Sequence, residues 1–156
     1  MKFLVFMSDN RFLTENYETA GYNSLVAAIN KSYCSKYGYD FIYYRTYLNK
    51  KHIVELENNL DPYTNLPRHS AWSKTKSAYL AVYSALKNKT YDYVVYIDSD
   101  CIFKDFNKSL ETFIKPYTQD ILISNDYPHN LYKACTGFFI CKVNKDSLKF
   151  LKDLYN

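Results

Sequence analysis

The chain has 156 residues, 47% apolar and 23% charged, with a formal net charge of +4. That suits one compact domain spanning residues 1–156 with a real core, and the charges are interspersed rather than gathered into the basic blocks of a nucleic-acid binder. Glycine numbers 3 and proline 4, and no repeat or low-complexity stretch marks a linker or a second domain.

Residues 2–7 form a continuous apolar run and read as a first strand. The run before Ser8 and Asp9 is too short for a signal-peptide core or a membrane span. Tyr22, Val26, Ile29 and Tyr33 at helical spacing predict a helix over about 17–37, stopped by Gly38. Residues 39–45 read as a second strand. Residues 46–69, with Asp61-Pro62 and Leu66-Pro67, lack periodicity and read as a long loop, a place where function often sits. Ser70 is placed to cap a helix through Lys87, with Ala71, Thr75, Ala78, Val82 and Ala85 on one face. Residues 93–97 make a third strand, 107–115 a short helix ended by Pro116, 120–124 a fourth strand and 137–143 a fifth. Asn144 caps a last helix carrying Leu148, Leu151 and Tyr155. Alternating strands and helices with uninterrupted apolar strands predict an α/β domain with a largely parallel sheet, buried on both faces.

Several features carry only their ordinary meaning. The 18 tyrosines and 10 phenylalanines accompany many Lys and Asn, as AT-rich codon usage produces. Cys34, Cys101, Cys135 and Cys141 lack a CxxC pair or a metal spacing and read as reduced thiols, Cys101 and Cys141 as small core residues. With no leader in this chain, a cytoplasmic location is expected, and the Asn-x-Ser/Thr triplets at Asn30, Asn88 and Asn107 read as chance. His52, His69 and His129 read as loop polar residues, and Trp72 as a packing residue at a helix start.

The chemistry concentrates at YDYVVYIDSDCIF, residues 91–103. Ligands of open parallel sheets bind beyond the carboxyl ends of the strands, which is where Asp98 and Asp100 follow the third strand. Strand alternation would turn both carboxylates to one side, and such a pair suits a hard divalent cation, Mn²⁺ or Mg²⁺, able to bridge a diphosphate. Lys74, in the first turn of the helix leading into that strand, must start at the same sheet edge, where free backbone N–H groups also favour an anion.

RHSAWSKTKSAYLAV (68–82), the Asp-Ser-Asp segment and ISNDYPHNLYKACTGFFICKV (123–143) together resemble nucleotide-sugar glycosyltransferases of the GT-A fold, a Rossmann-like sheet flanked by helices. The order and spacing are most similar to family 34, the galactosyl/xylosyl/mannosyltransferases, and the resemblance covers most of residues 1–150. It implies that Asp98 and Asp100 bind Mn²⁺ or Mg²⁺ carrying the diphosphate of a UDP- or GDP-sugar. It implies further that Ser8, Asp9, Asn10, Lys74, Ser99 and Gly137 contact the donor. Asp126 would border the sugar and the glycan or protein acceptor, as general base if the reaction inverts. Cys135 stands where family members commonly carry Asn, and their downstream histidine ligand has no counterpart before Asn156. The chain is therefore expected to be a truncated or minimal core, or to take its third ligand from elsewhere or from water. Two rivals remain at this level. One is a non-catalytic sugar-nucleotide or glycan-binding module. The other is a haloacid-dehalogenase-type phosphatase, disfavoured because its nucleophilic Asp follows the first strand.

Overall fold

The computed structural model describes residues 1–16, 18–45, 60–61, 63–66, 68, 70–126, 128 and 130–156. Its elements in chain order are β1 (Phe3–Asp9), α1 (Tyr22–Tyr37), β2 (Asp40–Arg45), a 3₁₀ turn (Ser70–Trp72) running into α2 (Ser73–Asn88), β3 (Tyr93–Ile97), α3 (Leu110–Ile114), β4 (Ile121–Asp126), β5 (Asn130–Lys142) and α4 (Lys145–Tyr155). The strands form one sheet in the order β2-β1-β3-β5-β4. β1 pairs parallel with β2 and with β3, while β5 runs antiparallel to both β3 and β4. β1, β2, β3 and β4 thus point one way and only β5 opposes them, so the sheet is mostly parallel as expected.

Alternation along the strands divides the core between the two faces. Leu4, Phe6, Val94 and Tyr96 pack beneath α2 and α4, with Ala78, Val82, Leu151 and Tyr155. Phe3, Val5, Met7, Val95 and Ile97 pack beneath α1 and α3, with Ala27, Tyr33, Leu110 and Ile114. All seven residues of β1 are buried, which explains its apolar run from Phe3 to Met7.

Helix α1 begins at Tyr22, later than the sequence suggests, because Gly21 is still extended (φ −65°, ψ 155°) and Thr19 N–H turns back to Asn16. Tyr17 lies outside the described residues. Half of the expected stripe on α1 is met, since Tyr33 is buried and Val26 packs against the core. Asn23, Ser24, Ala27, Asn30, Tyr33 and Cys34 are buried, whereas Tyr22 and Ile29 are exposed. Gly38 ends the helix at φ 71°, where a side chain would be strained, and Tyr39 N–H closes onto Cys34 O at 2.9 Å. The predicted face of α2 is buried from Thr75 to Ala85, and Trp72 packs against the core as expected. Ser109 and Asn144 cap α3 and α4 by accepting from Thr112 and Ser147 N–H.

β4 and β5 are longer than predicted and meet as a hairpin, so Asp126 closes a strand and pairs with Asn130. Residues 130–136 escape sequence detection because they lack an apolar run; they are held by pairing with β4. Most of the expected 46–69 loop, with His52, His69, Pro62 and Pro67, lies outside the described residues, as does His129. No helix among the described residues is long and apolar enough to cross a membrane. The four cysteines are free thiols; Cys34 and Cys141 are buried, and Cys101 packs half-buried against the α1 face.

Candidate functional site

From β1 the chain returns through α1 to β2 on one side, then crosses through α2 to β3 on the other. The strand order therefore reverses between β1 and β3, and a crevice opens at their carboxyl ends, where doubly wound sheets bind ligands. A cleft of about 430 Å³ occupies this position. Ser8, Asp9, Asn10 and Arg11 line it from the end of β1, Ala71, Ser73 and Lys74 from the start of α2, and Asp98, Ser99 and Asp100 from the end of β3, with Tyr22 and Tyr96 completing the wall.

The acidic pair does not sit on the strand. β3 ends at Ile97, and Asp98 to Cys101 form a tight turn closed by Cys101 N–H on Asp98 O at 3.0 Å. The turn brings both aspartates to the cleft without the strand alternation that the sequence suggests. Asn30, fully buried in α1, fixes the chain beyond it, donating to Cys101 O at 2.9 Å and accepting from Phe103 N–H at 3.0 Å. On the opposite side Asp98 N–H donates to Gly137 O at 2.8 Å.

Asp98 is the most engaged group in the cleft. Lys74 Nζ lies 3.1 Å from its Oδ1 and 3.2 Å from its Oδ2, and also reaches Thr136 O and Oγ1 at 3.4 Å each. The Tyr96 hydroxyl donates to Oδ1, and burial together with that carboxylate pushes the phenol well above its usual range. A Cβ on Gly137 would stand 3.2 Å from Asp98 Oδ2, so this glycine permits close approach to a site residue. Asp100, by contrast, is exposed and, among the described residues, meets the Cys101 thiol at 3.6 Å. Burial, then the charge of Asp100, raises that thiol to about 11, so it stays protonated at neutral pH.

Sequence reasoning missed Arg11. Its Nε donates to Asp9 Oδ1 and Oδ2 at 2.9 and 3.1 Å, its Nη2 bonds Asp9 Oδ2, and the same Nη2 reaches Ser99 Oγ at 3.1 Å. The guanidinium also lies over the Tyr22 ring, 4.4 Å from its centroid. Burial alone would raise the Asp9 carboxyl, but the Arg11 guanidinium with Ser99 beside it outweighs burial and holds Asp9 well below the usual carboxylate range. The available signal was an arginine two residues beyond a strand-end aspartate, close enough to fold back on it. Ser8 is buried next to this pair, with its hydroxyl beside the Tyr96 phenol.

Ser8, Asp9, Asn10, Lys74, Asp98, Ser99 and Asp100 are thus brought together, and Gly137 packs behind Asp98. Asp126 is not among the residues lining the cleft: it ends β4, which β5 separates from β3. Arg11 and Lys74 face Asp9, Asp98 and Asp100, leaving the cleft a net charge of −1. Among the described residues no three His, Cys, Asp or Glu side chains converge.

With this geometry in place, the solved structures give a match. A glycosyltransferase involved in the glycosylation of the major capsid of PBCV-1 superposes with a TM-score of 0.65 at 17% identity, over 99% of this chain and 66% of the other. The fold is GT-A-like. The chain spans just under two thirds of that neighbour's length. A197 from STIV aligns with a TM-score of 0.44 at 15% identity, over 96% of this chain and 68% of that one. No family model matches the chain, and no curated protein matches it in sequence.

Proposed function

We propose that the chain is the donor-binding core of a metal-dependent glycosyltransferase, transferring a hexose or pentose from a nucleoside-diphosphate sugar to a hydroxyl of a glycan or protein acceptor. The observation that carries this reading is the Asp98-Ser99-Asp100 turn, set at the β1/β3 switch point beside Lys74. A cleft of net charge −1 repels a bare diphosphate, whereas a divalent cation would make it attractive. The donor chemistry fits such a cation: two carboxylates beside a hydroxyl are hard oxygen ligands, and Mn²⁺ or Mg²⁺ readily completes its shell with water and phosphate oxygens. Once bound, the cation would neutralise charge on the departing nucleoside diphosphate.

The chain's own residues then divide the work. Asp98 and Asp100 supply the carboxylates and Lys74 a phosphate-side cation, while Ser8, Asp9 and Asn10 line the nucleotide end. In the transfer, the acceptor oxygen bonds to the anomeric carbon as the bond from that carbon to the diphosphate oxygen breaks. The acceptor proton passes to a base, for which Asp126, on the same sheet edge, is the candidate if configuration inverts.

The test is thermal stability with UDP or GDP, each with and without Mn²⁺. A rise of several degrees requiring both components, and lost in Asp98→Asn/Asp100→Asn, is expected. No metal-dependent shift with either nucleotide would remove the donor-site reading. Release of nucleoside diphosphate from a panel of sugar nucleotides then separates an enzyme from a binding module.

A further inference from the structure

We propose that Lys74 is an internal counter-ion holding the seat on Asp98 that a divalent cation would take, so that the cation and the nucleoside diphosphate enter cooperatively. This rests on the donor-site reading above. The Lys74 ammonium straddles both Asp98 oxygens, at 3.1 and 3.2 Å, in the position a bidentate cation would occupy. The approaches beside it are narrowed, although the Asp98 side chain keeps 29% of its surface exposed. Tyr96 donates to Oδ1, and Gly137 lies close enough to Oδ2 that a Cβ there would stand 3.2 Å from it. Among the described carboxylates of the cleft, Asp9 and Asp98 are held by Arg11 and Lys74, which leaves Asp100, and one carboxylate is a weak hold for Mn²⁺.

Asp98 therefore offers both oxygens to one cation only when Lys74 withdraws. Withdrawal is feasible because the ammonium rides on a flexible four-carbon stem, and Lys74 already forms part of the cleft wall. It is unfavourable without a substitute anion, since the Lys74 side chain is only 15% exposed and its other contacts include the Thr136 oxygens and the face of the Tyr96 ring, 5.4 Å from its centroid. A diphosphate in the cleft supplies that anion. Each ligand thus removes the obstacle to the other, and linkage requires the enhancement to be reciprocal.

The experiment measures free Mn²⁺ by electron paramagnetic resonance during titration of the full chain, with and without UDP, and corrects for the chelation of Mn²⁺ by UDP. In wild type, UDP should tighten Mn²⁺ binding about tenfold or more, a coupling of ordinary size. Lys74→Met should bind Mn²⁺ alone at least about fivefold tighter than wild type, with the UDP enhancement reduced below about threefold. Lys74→Gln serves the same purpose if the Met variant does not fold, with circular dichroism as the check. Equal affinity of wild type and a folded Lys74 variant for Mn²⁺ alone, or an undiminished UDP enhancement, overturns the counter-ion proposal while leaving the donor site standing. Mn²⁺ binding unchanged in Asp98→Asn/Asp100→Asn overturns both.

Discussion

Arg11 and Gly137 both act on the acidic residues of the cleft, one by charge and one by the absence of a side chain. The Asp9 side chain is only 6% exposed, and the Arg11 guanidinium is its cationic partner. Arg11→Met leaves a nearly buried carboxylate without that partner and should cost about 2 kcal/mol, less than a fully buried pair because Arg11 itself is 40% exposed. Adding Asp9→Asn should recover most of the loss. Urea denaturation of the single and double variants checks this, and an undiminished stability in Arg11→Met would refute it. At Gly137 the added methyl of alanine would meet Asp98 Oδ2 at 3.2 Å, so the carboxylate must yield by a few tenths of an ångström. Gly137→Ala should change stability by less than about 1 kcal/mol yet at least halve the thermal shift produced by UDP with Mn²⁺. A full shift in that variant would show that the glycine serves packing alone.

Among the elements, α1 has a second task besides covering the sheet. Asn30 sits in its middle, fully buried, and ties down Cys101 and Phe103 just past the acidic turn. The Asn30-Lys31-Ser32 triplet is thus a structural fastening whose asparagine is inaccessible to modification in the folded chain. Asn30→Leu keeps the branching and heavy-atom count but strands the Cys101 carbonyl and the Phe103 N–H and adds bulk at a fully buried position. It should cost about 3 kcal/mol by denaturation and blunt the response to UDP with Mn²⁺ beyond what that loss explains. Stability within error of wild type would refute the assignment. Asn30 also shows why the face of α1 was only partly legible. Apart from Tyr33 the buried face is built from Asn, Ser, Ala and Cys, so a reading by hydrophobic period finds Tyr33 and Val26 but adds the exposed Tyr22 and Ile29. Strands β1 and β3 and helix α2 were legible because burial demands one residue class along their whole contact face. The same logic recovered Lys74, since chain direction alone puts the start of α2 on the edge where β3 ends. Its contact with Asp98 was not recoverable, because a lysine head reaching a carboxylate or open cleft is decided by rotamers rather than by position.

At the scale of the whole molecule, the tyrosine excess has a structural role that composition could not reveal. Tyr33, Tyr39 and Tyr96 are buried rings whose hydroxyls reach Lys108 O, Glu111 and Asp98, so each fills core and also fastens a connecting segment or a helix. Burial pushes all three phenols above their ordinary range, and the buried Cys34 and Cys141 thiols up to about 12. A folded pKa above the unfolded value means that the native state keeps protons the unfolded chain would release. The stabilisation is complete below the unfolded thiol value of about 9 and is lost as pH climbs from there towards 12. The melting temperature should therefore be level from about pH 7 to 8.5, then fall by roughly 10 °C by pH 11, equivalent to several kcal/mol for a domain of this size. Tyr33→Phe separates titration from packing. It should lose about 1 kcal/mol at pH 7 with the 2.7 Å bond to Lys108 O, yet decline less steeply with alkali than the wild type. A melting temperature flat to pH 11, or an alkaline decline equally steep in Tyr33→Phe, would mean that the buried phenols do not control the alkaline limit.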